Sequence, residues 1–325
     1  MKESNDENYL GDVIANDGRN IKNIKARVNK GIGITNKIIS MLDSIPMGSH
    51  YFEIAVILRS SLLTSSMLCN SESWYNITTA EMKLLETVDV NLLRKILKAP
   101  KSTPTEMLYL ELGCIPYADL IQKRRLMFLH YIMNQDPKSM IYNFFEVQRK
   151  NPTSKDWVST VKKDIEELQL DFEFEDLKSI KKKDFKNILT KKIETNALEK
   201  LEQKKKLHSK VNHIQHGVLK MQTYLKPART NIAKEDRQNI FKLRSRVTEV
   251  KMNYKRKYDD LTCRACKVEE ETQEHILECE ELEKKEPSIK AKLTFEAIFK
   301  GSTEDKAHIA RIFEQKMRIM KKFID

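Results

Sequence analysis

Only eight glycines and eight prolines punctuate the 325 residues, and the long stretches between them are rich in Leu, Lys, Glu, Ile and Met. Turn-dense β folds need both breakers often, whereas helices exclude them from their interiors. A mainly α chain is therefore expected, with at most a short strand pair near the N-terminus. The length allows two or three domains with cores of their own.

The apolar pattern divides the chain further. Tyr9-Leu10-Gly11-Asp12-Val13-Ile14 alternates like a short strand, and Asn16-Asp17-Gly18 after it is a turn signal. Residues 21–45 read as a helix interrupted at Gly31 and Gly33, which makes 1–45 a first segment. In 46–150, Phe52, Ala55, Leu58, Leu62 and Leu63 recur at helical spacing. Thr78 and Glu81 have the spacing of a capping box ahead of the stripe Leu85, Val88, Leu92, Ile96, which Pro100 ends. Thr103-Pro104-Thr105-Glu106 repeats the device, with Gly113 placed to stop the helix. Leu120, Leu126, Leu129 and Ile132 follow Pro116 and end before Asp136-Pro137. Four short-linked amphipathic helices between residues 51 and 134 predict a compact bundle. Asn151-Pro152-Thr153-Ser154 reads as a linker into a basic helical region, 151–260, with charged helices at 157–168 and 184–207. A compact segment at 261–290 and a helical tail at 291–325, broken near Gly301-Ser302, complete the chain.

The net charge is +12, and it is concentrated. Residues 178–260 hold 24 Lys and Arg against 9 Asp and Glu, a balance of +15, so the rest of the chain sums to −3. An anionic partner such as nucleic acid is expected there, with Lys181-Lys182-Lys183, Lys204-Lys205-Lys206 and Lys255-Arg256-Lys257 as its basic knots. The acidic opening MKESNDENYLGD lacks the apolar run of a signal peptide, and the most apolar stretch, 54–68, is short and contains Arg59. An intracellular protein, cytoplasmic or nuclear, neither secreted nor membrane-bound, is expected. Of five cysteines, Cys69 and Cys114 lie among apolar residues and read as inert core thiols.

The other three form an ordered pattern within seventeen residues: Cys263, Cys266, His275 and Cys279, or C-x2-C-x8-H-x3-C. Two thiolates two residues apart suit a knuckle turn, and His275 and Cys279, four apart, share one face of a helical turn. Four such ligands suit tetrahedral Zn²⁺ and leave no open position, so a structural zinc is expected and a catalytic one is not. Eight glutamates between 269 and 283 make the knuckle acidic, which favours packing on the basic helices or on protein over gripping phosphate alone. Lys257-Tyr258-Asp259-Asp260 superficially resembles the aspartate hairpin that holds two Mg²⁺ in polymerases. It lacks the residue between aromatic and aspartates, and Lys-Arg-Lys precedes it in place of an apolar strand. No catalytic residues are assigned, and no phosphate loop or Ser-His-Asp order is present.

These features, in order, resemble a family. Tyr9-Leu10-Gly11 with Ile24 to Gly31 is similar to the segment that follows the catalytic aspartates in non-LTR (LINE-type) retrotransposon reverse transcriptases, at the end of the palm. Glu72-Ser73-Trp74-Tyr75, Leu93-Arg94-Lys95-Ile96-Leu97, Leu108-Tyr109-Leu110-Glu111-Leu112-Gly113 and Lys123-Arg124-Arg125-Leu126 look like the helical thumb of those enzymes. The Cys-Cys-His-Cys cluster is a further family feature, with three residues before its last Cys where four are usual.

By resemblance the parent activity is RNA-directed DNA polymerase, with Mg²⁺ in the intact enzyme. The chain is expected to be a fragment or domesticated remnant that lacks the catalytic aspartates and is no enzyme alone, but retains template and primer handling. Arg124, Arg125, Lys181, Lys182, Lys183, Lys204, Lys205, Lys206, Lys255, Arg256 and Lys257 are then the candidate phosphate contacts for RNA, DNA or an RNA/DNA duplex. Two alternatives stay open: a protein-interaction scaffold with a structural zinc site, and part of a polymerase completed by a separate fingers and palm polypeptide.

Overall fold

The computed structural model describes residues 6–9, 12–16, 18–44, 50–153, 155–227, 232–290 and 293–322. Strands β1 (Asp6–Tyr9) and β2 (Asp12–Ala15) pair antiparallel with Tyr9 opposite Asp12. The stretch 9–14 is thus divided between two strands; Leu10 and Gly11, at the centre of the expected strand and of the family motif, lie outside the described residues. Asp17 of the expected turn does too, while Gly18 takes φ +66° and donates to the Ala15 carbonyl at 3.0 Å.

Apart from an isolated bridge between Thr262 and Glu270, the other described residues are helix and connection. Helix α1 (Ile21–Ser44) runs unbroken through Gly31 and Gly33, against the expected interruption. The reason at Gly31 is packing: a Cβ there would stand 2.4 Å from the Met67 sulfur and 3.1 Å from a Val88 methyl. The missing side chain lets α1 settle on its neighbours, a gain that offsets the backbone entropy of a helical glycine.

Helix α2 (Tyr51–Leu58) continues through a π-helical turn (Arg59–Thr64) into α3 (Ser65–Met67). Arg59, at the start of that turn, lies buried and pairs with Asp89 through both carboxylate oxygens, at 2.7 and 2.6 Å. Asp89 also accepts from the Tyr109 hydroxyl at 2.9 Å. Helix α4 (Thr79–Leu97) begins with the expected capping box of Thr78 and Glu81 and ends at Lys98, which takes φ +47°. Helix α5 (Thr105–Leu112) has no side-chain cap; Pro104 holds the N-cap position and the Thr103 hydroxyl is buried without a partner. The expected second capping box therefore does not form.

Gly113 does end α5, at φ +66°, and a Cβ there would lie 2.2 Å from the Met221 backbone nitrogen. Neither the dihedral nor the neighbouring backbone accommodates a side chain. Gly113→Ala is expected to lower stability by at least about 2 kcal/mol, measured by urea unfolding; an unchanged midpoint would show that the 220–222 loop can move away.

Helices α6 (Tyr117–Met133), α7 (Met140–Lys150), α8 (Trp157–Glu167) and α9 (Lys182–Lys206) follow. Then come α10 (Lys234–Arg244), α11 (Gln273–Glu278), α12 (Glu280–Lys285), α13 (Ala297–Lys300) and α14 (Thr303–Lys321), the last preceded by a break at Gly301-Ser302 as expected. Among the described residues no helix is long and apolar enough to cross a membrane.

Two apolar cores organise these helices. The smaller joins the C-terminal half of α6 to α7, α8 and the first half of α9, around Leu129, Phe145, Trp157, Val161, Phe185 and Leu189. The larger runs from Ile24 of α1 through Leu92, Leu110, Leu201 and Phe241 to Cys263, Leu277 and Phe313. Both cross the divisions expected from the sequence. Nor does the linker at 151–154 separate independent units: the Trp157 indole donates to the Glu72 carbonyl at 2.8 Å, and Arg125 of α6 pairs with Asp164 of α8 at 2.7 and 2.9 Å. The knuckle is likewise built into the larger core, not attached beside it.

Candidate metal centre and nucleic-acid interface

The knuckle is shaped by its backbone. An antiparallel bridge between Thr262 and Glu270 brings its two limbs together, and the Cys263 amide donates to the Glu269 carbonyl at 2.6 Å. Lys267, just past Cys266, takes φ +59° to reverse the chain. Thr272 caps α11 by accepting from the His275 amide at 3.0 Å, which fixes the turn that carries His275. Cys279 then leaves the helix as the shared cap between α11 and α12.

The four ligand atoms come within 4.8 Å of one another. Among the described residues this is the one such group of three or more His, Cys, Asp or Glu side chains. The His275 Nε2 faces the Cys266 sulfur at 3.4 Å, while Nδ1 lies 3.1 Å from a Glu269 carboxylate oxygen. That carboxylate orients the ring with Nε2 inward, the arrangement that holds metal-ligating histidines elsewhere. Each sulfur is also met by two amides, two and three residues onward: Ala265 and Cys266 for Cys263, Val268 and Glu269 for Cys266, Glu281 and Leu282 for Cys279.

Electrostatics point the same way. Burial pushes the Cys263 thiol up to about 12, and the neighbouring cysteines add to the rise. Burial acts against ionisation of Cys266 too, yet its two amides together with hydrogen bonds from Cys263 and His275 outweigh it and hold that thiol at about 7. Burial raises Cys279 as well. Three sulfurs prepared by amides for negative charge, but unable to carry it together, are a donor set that a divalent cation completes. The residues fit zinc.

Part of the acidic surroundings is neutralised from within. Glu271, fully buried, accepts from Arg264 Nε at 2.7 Å and from the Lys251 amide at 3.0 Å. Glu274 pairs with Arg246 at 2.6 Å. From α14, the buried Lys316 ammonium donates to Glu283 at 2.8 Å and to the Leu277 carbonyl. The knuckle therefore packs on α14 and on the 246–253 stretch. Val268 points to solvent, whereas Ile276 and Leu277 enter the larger core.

The candidate phosphate contacts separate into two sets. Lys181, Lys182, Lys183, Lys204, Lys206, Lys255, Arg256 and Lys257 are exposed. Lys205 is not: it is fully buried and donates to Glu202 at 2.9 Å and to the Ile214 carbonyl. Arg125 is also buried, bound to Asp164. Neither presents a cation to an outside phosphate, because each sits on the inward face of its helix where a carboxylate awaits it. Arg124 donates to the Leu68 carbonyl and shares a cavity of about 790 Å³ with Lys123, Lys182 and Lys186.

Lys255, Arg256 and Lys257 meet Lys210, His213 and Arg246 around a cleft of about 800 Å³ with no carboxylate in its lining. Tyr254 sits in it with the ammonium groups of Lys210 and Lys257 at 5.5 and 5.2 Å from its ring centre. Asp260, three residues past Lys257, accepts from the Thr262 hydroxyl at 2.7 Å and from the Lys251 ammonium at 3.0 Å.

The sequence reading missed one polar constellation. Glu111 of α5, fully buried, accepts from Arg244 of α10 through two nitrogens at 3.1 Å and from the Tyr224 hydroxyl at 2.7 Å, with His216 Nε2 at 3.3 Å. His216 Nδ1 faces Glu202 of α9 at 2.9 Å. Burial alone would raise the Glu111 carboxyl, but Arg244, His216 and Tyr224 together hold it down at about 2. The one signal was an acid in the apolar run Leu108-Tyr109-Leu110-Glu111-Leu112, where a glutamate needs buried partners.

With this geometry in hand, comparison with protein families, with characterised proteins and with solved structures gives no match for the chain.

Proposed function

We propose that this chain is a non-catalytic nucleic-acid-handling module, related to the thumb and zinc-knuckle part of non-LTR reverse transcriptases, with a structural Zn²⁺ at Cys263, Cys266, His275 and Cys279. The single observation that carries the reading is the cleft around Lys255, Arg256 and Lys257. Lys210, Lys255, Arg256, Lys257 and an aromatic ring, with no carboxylate in the lining, form a surface for phosphates and bases, since cations take the backbone and a tyrosine face stacks on any base; Arg246, also in the lining, is paired with Glu274. The bundle of α2 to α6 and the Cys-Cys-His-Cys centre, in the order the family resemblance implies, support it. On this reading the protein works inside the cell, in cytoplasm or nucleus, with RNA or DNA as partner.

The test is a salt titration of oligonucleotide binding followed by fluorescence anisotropy. Because residues 178–260 supply Leu201, Val211 and Phe241 to the larger core, point substitutions replace deletion of that region. Changing Lys255, Arg256 and Lys257 to Ala is expected to weaken binding about tenfold and to reduce the salt slope by about 2. No salt-sensitive binding by the folded wild-type chain would sink the reading.

A scaffold role has one specific observation in its favour. Met140, Phe144 and Val147 form an exposed apolar stripe at helical spacing along α7. Loss of a protein partner on changing Phe144 to Glu, with oligonucleotide binding absent throughout, would establish that reading instead.

A further inference from the structure

The basic cleft does not stand alone. Its Tyr254 also lines a second cleft of about 410 Å³, walled by Val247, Thr248, Phe313 and Met317. That second cleft shares Lys98 and Ala99, at the C-terminal end of α4, with a third of about 650 Å³ between α1 and α4. Ser102 Oγ lies 3.4 Å from the Tyr254 hydroxyl, which ties the α4 end to the first cleft as well. The three are successive stretches of one groove. Twelve Lys and Arg side chains line it against three carboxylates, Asp43, Glu249 and Glu314; of the twelve, Lys321 is paired with Glu249 at 3.6 Å and Arg246 with Glu274, outside the lining, at 2.6 Å. A third of those cations come from residues 94–101, outside the basic segment visible in the sequence.

We propose that this groove, from Lys95 and Lys98 past Tyr254 to Lys255, Arg256 and Lys257, is a track for single-stranded nucleic acid. The inference rests on the reading of the basic cleft as a nucleic-acid surface and extends it to a path and a strand type. Each cleft has rings or apolar side chains in its lining beside the cations: Tyr51, Ile39 and Val88 in the third cleft, Phe313 and Met317 in the second, Tyr254 in the first. A flexible strand offers both phosphates and bases to such a mixed surface. A duplex keeps its bases inside and presents a rigid rod that cannot follow recessed, apolar-walled clefts. A flat anionic membrane reaches cations on protruding faces, not those set within a groove.

Lys95, Lys98 and Lys101 are exposed, so charge reversal there leaves the core intact. The experiment measures binding of the full chain to a labelled thirty-nucleotide oligothymidine, to a duplex of equal length and to phosphatidylserine vesicles. Three proteins are compared: wild type, Lys95→Glu/Lys98→Glu/Lys101→Glu, and a control with Lys138, Lys162 and Lys163 changed to Glu. The control makes the same change in net charge at exposed residues outside the groove. The expected result is preference of wild type for the single strand, weakening by at least about tenfold with a salt slope lower by about 2 in the groove variant, and little change in the control. Equal weakening in both variants, preference for duplex, or a groove effect confined to vesicles would each overturn the track. Wild type that binds no oligonucleotide would instead overturn the reading beneath it. Should the reversed variant fail to show wild-type circular dichroism, the three Lys→Gln changes, expected to weaken binding about threefold, take its place.

Discussion

Replacing Cys263 and Cys266 with Ser is expected to remove one Zn²⁺ per chain and to destabilise much more than the knuckle. Tetrahedral Cys and His sites of this kind contribute on the order of 10 kcal/mol to the folding of small modules. Here the site is built into a larger core. Cys263, Ile276, Leu277 and Leu282 are buried in it, and the ammonium of Lys316 in α14 is held by the Leu277 carbonyl and Glu283. Without metal the knuckle loses its shape, and Lys316 is left as a buried charge with its partners displaced. Amides of 303–321 should then exchange quickly, while those of α7 and α8, in the separate smaller core, stay protected. Elemental analysis and hydrogen exchange on wild type and variant measure both effects. A folded wild-type sample with no zinc and three freely reactive thiols would rule the centre out.

The second large effect is expected at Glu111. Glu111→Ala leaves Arg244, His216 and Tyr224 facing one another in the interior without their common acceptor, and breaking a buried pair in this way costs about 3–5 kcal/mol. Exchanging Glu111 for Leu together with Arg244 for Met should recover much of that loss, because the uncompensated charge goes with its partner. The same carboxylate gives a pH signature. Its folded pKa of about 2 lies below the ordinary 4.5, so its contribution is complete above the ordinary value and is lost as pH falls from there towards 2. That loss amounts to roughly 3 kcal/mol. Urea unfolding of wild type across this range should show a decline that the Glu111→Leu/Arg244→Met protein lacks; parallel declines would assign the acid sensitivity to other groups.

Much of this architecture was legible in local chemistry. The Thr78 and Glu81 box, the stop at Gly113 and the break before α14 follow from groups that act within a few residues. So does the cluster of Cys263, Cys266, His275 and Cys279, whose members lie close together in the chain. What local chemistry does not carry is which face of a helix meets which neighbour. Lys204, Lys205 and Lys206 are alike in sequence, yet only Lys205 falls on the side of α9 that faces Glu202 and the Ile214 carbonyl. Arg124 and Arg125 differ in the same way by the rotation of one residue. Helix α10 passed unnoticed because its buried positions include Arg237, Gln238 and Arg244, polar residues that mask an inward face. The groove was beyond sequence reading for a related reason: Lys98 and Lys257 belong to distant segments and become neighbours of Tyr254 only through packing.

The π-helical turn at 59–64 has a consequence for how this chain can change in length. A π turn accommodates one residue more than an α turn would, so it takes up a residue that a regular α-helix would pass on as a rotation of about 100° to everything downstream. Deleting one of Ser60, Ser61 or Leu62 would therefore restore an ordinary α-helix and leave the buried Leu63 and Met67 near the faces they hold now. Arg59 itself has to stay, because its guanidinium binds Asp89 and the Ile115 carbonyl. One-codon deletions within 60–62 should thus be tolerated where the same change in the regular helix α4 abolishes folding.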